Sequence, residues 1–180
     1  PQPQVIDGRL IIEGMDMLRA LDIYTGRVLW EKKLPGVGSY YNNTSHHPGA
    51  NGTGTNFIST SDGIYVTLGR KCVRLDPSNG ETLGEITLPA DATPEGVWGY
   101  INVIGNHLIA GVGIPRPEKP APKKPDEEDD DDDDAFDAAL KKERVFPRPV
   151  ASRQLMVFDR MSGKLLWSAT AQKEFRHNGI

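Results

Sequence analysis

Apolar and polar side chains alternate along this chain in short runs broken by Gly, Pro, Asn and Asp. That is the pattern of half-buried β-strands joined by turns, not of amphipathic helices. The runs predict strands near Gln4–Ile6, Leu10–Glu13, Met17–Leu21 and Val28–Leu34, then Phe57–Thr60, Ile64–Leu68, Cys72–Leu75 and Thr82–Leu88. A further set is expected near Ile101–Ile104, Leu108–Gly111, Gln154–Phe158 and Leu165–Ala169.

One stretch organises the rest. Ala20-Leu21-Asp22-Ile23-Tyr24-Thr25-Gly26-Arg27-Val28-Leu29-Trp30 reads as a strand end, a tight turn and a new strand. Asp22 can accept hydrogen bonds from its own turn, and Gly26 supplies the positive φ such turns need. Simple alternation beyond the turn puts Val28 and Trp30 on one face and Leu29 and Glu31 on the other. The motif recurs at Asp76–Gly80, followed by Gly84, and at Asp159–Gly163, followed by Trp167. Each copy also follows a hairpin signal: Asp7-Gly8, Asp62-Gly63 and, more loosely, Asn106-His107.

Fixed-period repetition of a four-stranded antiparallel unit points to an all-β fold, a β-propeller sector of about three blades belonging to a larger ring. The expected blades are 1–34, 56–89 and 100–169, with a fourth beginning at 174–180. A β-sandwich also uses short strands but has no reason to repeat one turn. Three blades do not close a ring, so two sheet edges are expected to stay unpaired and to favour association.

The third blade carries an insertion, 114–150, between its second and third strands. It holds seven of the fourteen prolines and the acidic run 126–134, which self-repels, buries nothing and is expected to be disordered. Eight of the 21 basic and twelve of the 25 acidic residues fall in 115–149, so the net charge of −4 belongs to that segment and the remaining chain is balanced. A balanced body argues against nucleic-acid partners. No apolar run is long enough for a membrane span. The single Cys72 rules out an internal disulfide and a cysteine zinc cluster. The chain begins Pro-Gln-Pro-Gln, as a piece of a longer protein would.

On Ala20, Asp22, Thr25, Gly26 and Trp30, the sequence resembles the PQQ-like (pyrroloquinoline quinone) repeat of quinoprotein alcohol dehydrogenases. Similar blades build the lipoprotein propeller that helps assemble outer-membrane β-barrels. The copy at Asp159, Gly163 and Trp167 has Val157 for Ala and Ser162 for Thr; the copy at Asp76 and Gly80 lacks the tryptophan. In that family the tryptophan stacks on the neighbouring blade, which implies structural roles for Trp30 and Trp167. The resemblance also implies a periplasmic or cell-envelope setting, and possible binding of PQQ with calcium in the full-length protein. The cysteine pair and the Glu/Asn/Asp calcium set of the enzymes find no match here. The expected function is therefore a non-catalytic binding or scaffold segment of a larger bacterial protein. The alternative is a sector of a PQQ-dependent dehydrogenase, and the sequence leaves enzymatic status open.

No residue is assigned to catalysis or to a metal. His46-His47 sit in a polar loop, 35–55, with no Asp, Glu or Cys between Ser39 and Thr60 to complete a site. In an up-and-down meander that loop, the segment 90–99, the insertion and residues 170–175 emerge on one side of the disc, opposite the tight Asp-to-Gly turns. Elaborated loops on a rigid frame are where binding surfaces are built. Tyr40, His46, His47, Trp98, Arg176 and His177 are therefore the candidate ligand-face residues, the last two because a new innermost strand is expected to start there. The expected partners are the remaining blades and a protein bound on the long-loop face.

Overall fold

The computed structural model of the chain describes residues 3–37, 56–90, 92, 96–113 and 151–176. The first sheet consists of β1 (Gln4–Ile6), β2 (Arg9–Gly14), β3 (Met17–Asp22) and β4 (Val28–Lys33). The second holds β5 (Phe57–Thr60), β6 (Gly63–Leu68), β7 (Lys71–Leu75) and β8 (Thr82–Thr87). The third holds β9 (Trp98–Ile104), β10 (His107–Val112), β11 (Ala151–Asp159) and β12 (Leu165–Arg176). Each is a four-stranded antiparallel meander paired in chain order, and no strand crosses between sheets. Successive sheets touch through their first strands, β1 on β5 and β5 on β9. These are three blades of a propeller, with the first strand of each innermost.

Two apolar layers hold the blades together. Ile11, Leu18, Ala20, Trp30 and Leu34 of blade one pack on Phe57, Ile64, Val66, Val73 and Leu75 of blade two. Tyr65, Cys72, Ile86 and Leu88 of blade two pack with Trp98, Ile101, Leu108, Ala110, Met156 and Phe158 of blade three. Alternation along β6 and β7 sends neighbouring residues into different layers, so Ile64 faces blade one and Tyr65 faces blade three.

The outermost strands depart from simple alternation. Ala20 pairs with Trp30 but Leu21 pairs with Val28, so Leu29 is an extra residue bulged out of β4. The same bulge recurs at Leu83, between the pairs Arg74–Gly84 and Leu75–Thr82, and at Leu166, between Val157–Trp167 and Phe158–Leu165. Val28 and Trp30 consequently lie on opposite faces, not on one as plain alternation predicts. The bulge turns Trp30 toward blade two and leaves Leu29, Leu83 and Leu166 exposed at the rim.

The inner hairpins also differ by a residue. Blade one turns at Asp7–Gly8, both at positive φ. In blade two Gly63 pairs with Thr60 inside the ladder, so the turn is Ser61–Asp62; in blade three it is Gly105–Asn106. Gly63 stands in the strand where a Cβ would come within 2.8 Å of Arg74 Nε.

The surfaces left open are sheet faces rather than sheet edges. On blade one the cross-strand row Val5–Leu10–Leu21–Val28 is half-exposed, whereas its counterpart in blade two, Ser59–Ile64–Leu75–Thr82, has Ile64 and Leu75 fully buried under blade one. Every blade has an inner and an outer edge wherever it sits, and a missing neighbour uncovers a face. Glu174–Arg176, where a fourth blade was expected to start, end β12, with Arg176 paired to Ala151. The acidic run 126–134 lies outside the described residues. The residues flanking the insertion are close together, as Arg153 N–H donates to Gly113 O at 2.8 Å.

Candidate functional site

The two ends of the blades are built differently. At one end, each Asp-to-Gly turn is closed by its own carboxylate. Asp22 Oδ1 accepts from the N–H groups of Tyr24 and Thr25 and from the Thr25 hydroxyl, while Gly26 N–H donates to Asp22 O at 2.8 Å. Asp76 and Asp159 repeat the arrangement with Ser78 and Ser162. These bonds favour the ionised form and hold all three carboxyls below the usual range, chiefly through Thr25 N–H at Asp22, the Ser78 hydroxyl at Asp76 and Ser162 N–H at Asp159.

Two of these turns receive a side chain from the preceding blade. Trp30, 7% exposed, lies over Gly80 and donates its indole N–H to Pro77 O at 2.9 Å. At the next junction Ile86 lies over Gly163. Among the described residues nothing lies within 4 Å of the place a Cβ on Gly26 would take, and Trp167 is 49% exposed.

At the opposite end, the tips of the β2–β3 and β6–β7 hairpins hold the blade-to-blade links. Asp16 accepts Gly36 N–H at 2.7 Å on its carboxylate and Leu34 N–H on its carbonyl, and its own N–H donates to Val37 O. Glu13 accepts from Asn56 Nδ2, so one hairpin grips both described ends of the 38–55 loop. Burial pushes the Glu13 carboxyl up despite that bond. Arg70 does the same work in blade two: its guanidinium donates to Pro89 O and Gly96 O, and its carbonyl accepts from Leu88 N–H and from the Trp98 indole. Near the axis, Gln4 bridges the innermost strands, donating to Phe57 O at 2.9 Å and accepting from Ser59 N–H at 2.6 Å.

Of the candidate ligand-face residues, Tyr40, His46, His47 and His177 lie outside the described residues. Trp98 is buried against Phe158, ring centroids 5.2 Å apart, at the start of an innermost strand. Arg176 is on the outermost strand of blade three, exposed and ion-paired with Glu174 at 3.3 Å. Trp98 and Arg176 share the loop end of the disc but sit at its centre and its rim, so they do not form one site. Asp16, Glu13 and Arg70 escaped sequence reading. The one available signal was position, since Asp16 and Arg70 each close the tight turn between a second and a third strand.

No three His, Cys, Asp or Glu side chains converge among the described residues. Cys72, the only cysteine, is buried between blades two and three, and burial pushes its thiol pKa far up.

The described residues thus define a sector of a β-propeller. No protein-family model matches the chain, and no curated protein matches its sequence. Solved structures do. A quinohemoprotein alcohol dehydrogenase from Comamonas testosteroni matches with TM-score 0.56 and 14% identity, over 94% of this chain and 20% of its own length. A europium-containing methanol dehydrogenase matches with TM-score 0.54 and 15% identity, over 94% of this chain and 24% of that one. BamB from Moraxella catarrhalis matches with TM-score 0.50 and 12% identity, over 95% of this chain and 37% of that one. At such identities the likeness is one of fold. The chain spans between 20% and 37% of these propeller proteins.

Proposed function

We propose that this chain is a three-blade sector of a larger bacterial PQQ-like-repeat propeller whose role is binding or scaffolding. The observation that carries the reading is a pair of unmatched halves. Trp30 on Gly80 is a completed blade contact, whereas among the described residues no side chain lies over Gly26, and Trp167 is half-exposed. A preceding blade supplies what Gly26 lacks, and a following one covers Trp167. The binding surface is the loop end of the disc, where Asp16, Glu13 and Arg70 fix the roots of the links while their length is spent on contact. This reading puts the parent protein in the periplasm or cell envelope, with Tyr40, His46 and His47 among the residues a protein partner meets.

Titration of the chain with PQQ and calcium, followed by tryptophan fluorescence, tests it. The scaffold reading expects no saturable change. A saturable, calcium-dependent quench refutes it and supports a sector of a quinone-dependent dehydrogenase.

A further inference from the structure

We infer that blades two and three are joined by a charge clamp, Arg160 of blade three on Asp62 and Tyr65 of blade two, that takes the place of the missing tryptophan and makes this junction responsive to ionic strength.

Equivalent cross-strand rows show the exchange. Blade one presents Gln4–Ile11–Ala20–Trp30 to its neighbour, and blade three carries Asn102–Ile109–Val157–Trp167 in the same register. Blade two has Ile58–Tyr65–Arg74–Gly84. Where the indole is lost at Gly84, the small residue beside it has become Arg74 and the aliphatic one Tyr65. Bulk has moved from the outermost strand to the middle of the sheet.

Burying Tyr65 completely sets a requirement, because a buried hydroxyl needs a partner. Arg160, on the turn after β11, supplies it. Its Nη1 donates to Tyr65 Oη at 3.0 Å and to Asp62 Oδ1 at 2.8 Å, and its Nε donates to Gly105 O at 2.9 Å within its own blade. Arg74 reaches the same point from the other side, donating Nη2 to Asp62 O at 2.8 Å, with Asp62 Oδ2 at 3.8 Å. The two guanidinium carbons stand 5.9 and 6.0 Å from the centroid of the Tyr65 ring. Two cations therefore share one carboxylate and one aromatic ring. Ile86 on Gly163 adds only an aliphatic contact.

Among the described residues no ion pair closes the junction between blades one and two. The indole bond to Pro77 O, the Gln4 and Glu13 bonds to Phe57, Ser59 and Asn56, and apolar side chains close it. Arg9 acts on Asp76 only as the weakest of that carboxylate's influences. Mobile ions shorten the reach of charge attraction from about 10 Å at 0.1 M to about 3 Å at 1 M, and the Asp62 side chain, 43% exposed, leaves its end of the clamp open to them. They do not weaken apolar burial. One joint of the sector should therefore loosen with salt while the other holds. This inference stands whether or not the parent propeller binds a quinone.

The tryptophans themselves make the test. Trp30 sits at the first junction, Trp98 at the second, and Trp167 on the open face. Biosynthetic 5-fluorotryptophan gives each its own ¹⁹F resonance. Raising salt from about 0.05 M to about 1 M is expected to shift or broaden the Trp98 resonance and leave that of Trp30 in place. Arg160→Met should move Trp98 in the same direction at low salt and abolish its salt response, and Asp62→Asn should do likewise. If Trp98 ignores salt in the unmodified chain, or if Trp30 and Trp98 move together, the clamp is refuted; this part needs no variant. A Trp98 salt response that persists in Arg160→Met also overturns it.

Discussion

Three glycines give the sharpest check on how the blades dock, because they share a backbone conformation and differ in what lies above them. Gly26, Gly80 and Gly163 close equivalent turns at φ +71°, +74° and +71°. Alanine at any of them meets the same left-handed backbone cost, about 1–2 kcal/mol. At Gly26 nothing more is added, since among the described residues beyond its chain neighbours no heavy atom lies within 4 Å of the new Cβ. At Gly163 the Cβ would approach Ile86 Cγ1 at 3.2 Å, which a small shift of one aliphatic side chain relieves. At Gly80 it would lie 2.7 Å from Trp30 Cε3 and 3.0 Å from Cδ2, against a rigid ring whose N–H is already committed to Pro77 O. Overpacking of that kind costs about a further 1–3 kcal/mol. The expected order of destabilisation is Gly26→Ala, then Gly163→Ala, then Gly80→Ala, read as midpoints of urea unfolding at constant slope. A double-mutant cycle makes the cause explicit. Once Trp30→Ala has removed the ring, Gly80→Ala should cost no more than Gly26→Ala, a coupling of about 1–3 kcal/mol. Equal costs at Gly26 and Gly80, or an unchanged Gly80 cost without the indole, would refute the docking argument.

Trp30→Ala should cost about 3–5 kcal/mol, the range for deleting a buried large aromatic. Trp167→Ala, at a half-exposed position, should cost well under half of that, and calorimetric melts of the two variants test the contrast. Arg160 beside Asp62 holds that carboxyl at about 2, with Thr60 and Arg74 contributing. A depressed carboxyl stabilises above its unfolded pKa of about 3.9 and loses that contribution as pH falls toward 2. Unfolding midpoints between those values should accordingly fall less steeply in Asp62→Asn. Buried Cys72 should resist a thiol reagent in the folded chain and react at the rate of global opening, so rapid labelling without denaturant would contradict its placement. Replacing residues 115–149 with a short Asn-Gly turn should keep the β-sheet circular dichroism, because Gly113 and Arg153 already bond across the gap.

The fold was legible because a propeller writes itself several times over. Alternation marks each strand, and the Asp-to-Gly turns need a carboxylate and a positive-φ residue at fixed spacing whatever surrounds them. The bulge was not legible. Val28-Leu29-Trp30 is an unbroken apolar run that does not say which of its residues is the extra one, and that residue is disclosed only by which residues pair across β3 and β4 or β7 and β8. Missing it puts Val28 beside Trp30 and hides how the indole reaches the next blade. The inner hairpin of blade two shifted for a related reason. Asp62-Gly63 has the composition of a turn, but Gly63 is glycine because Arg74 occupies its side-chain space.

The candidate site was legible only as topology. Which links share an end of the disc follows from strand order alone, so the roots of the long loop do lie away from Asp22, Asp76 and Asp159. What holds those roots did not follow, because Asp16 and Arg70 read as ordinary polar turn residues until their partners are known. The same limit explains the second junction. A sequence shows Gly84 as a defect, a repeat without its tryptophan. Only the register shows that Arg74 and Tyr65 occupy the row the indole left short and that Arg160 reaches them from the following blade. Substitutions within one blade alter the surface its neighbour must meet, so compensation is found across the junction, 95 residues along the chain from Tyr65. The repeat motif therefore describes the blade well and the joint poorly, and the joints are where this propeller's sectors differ.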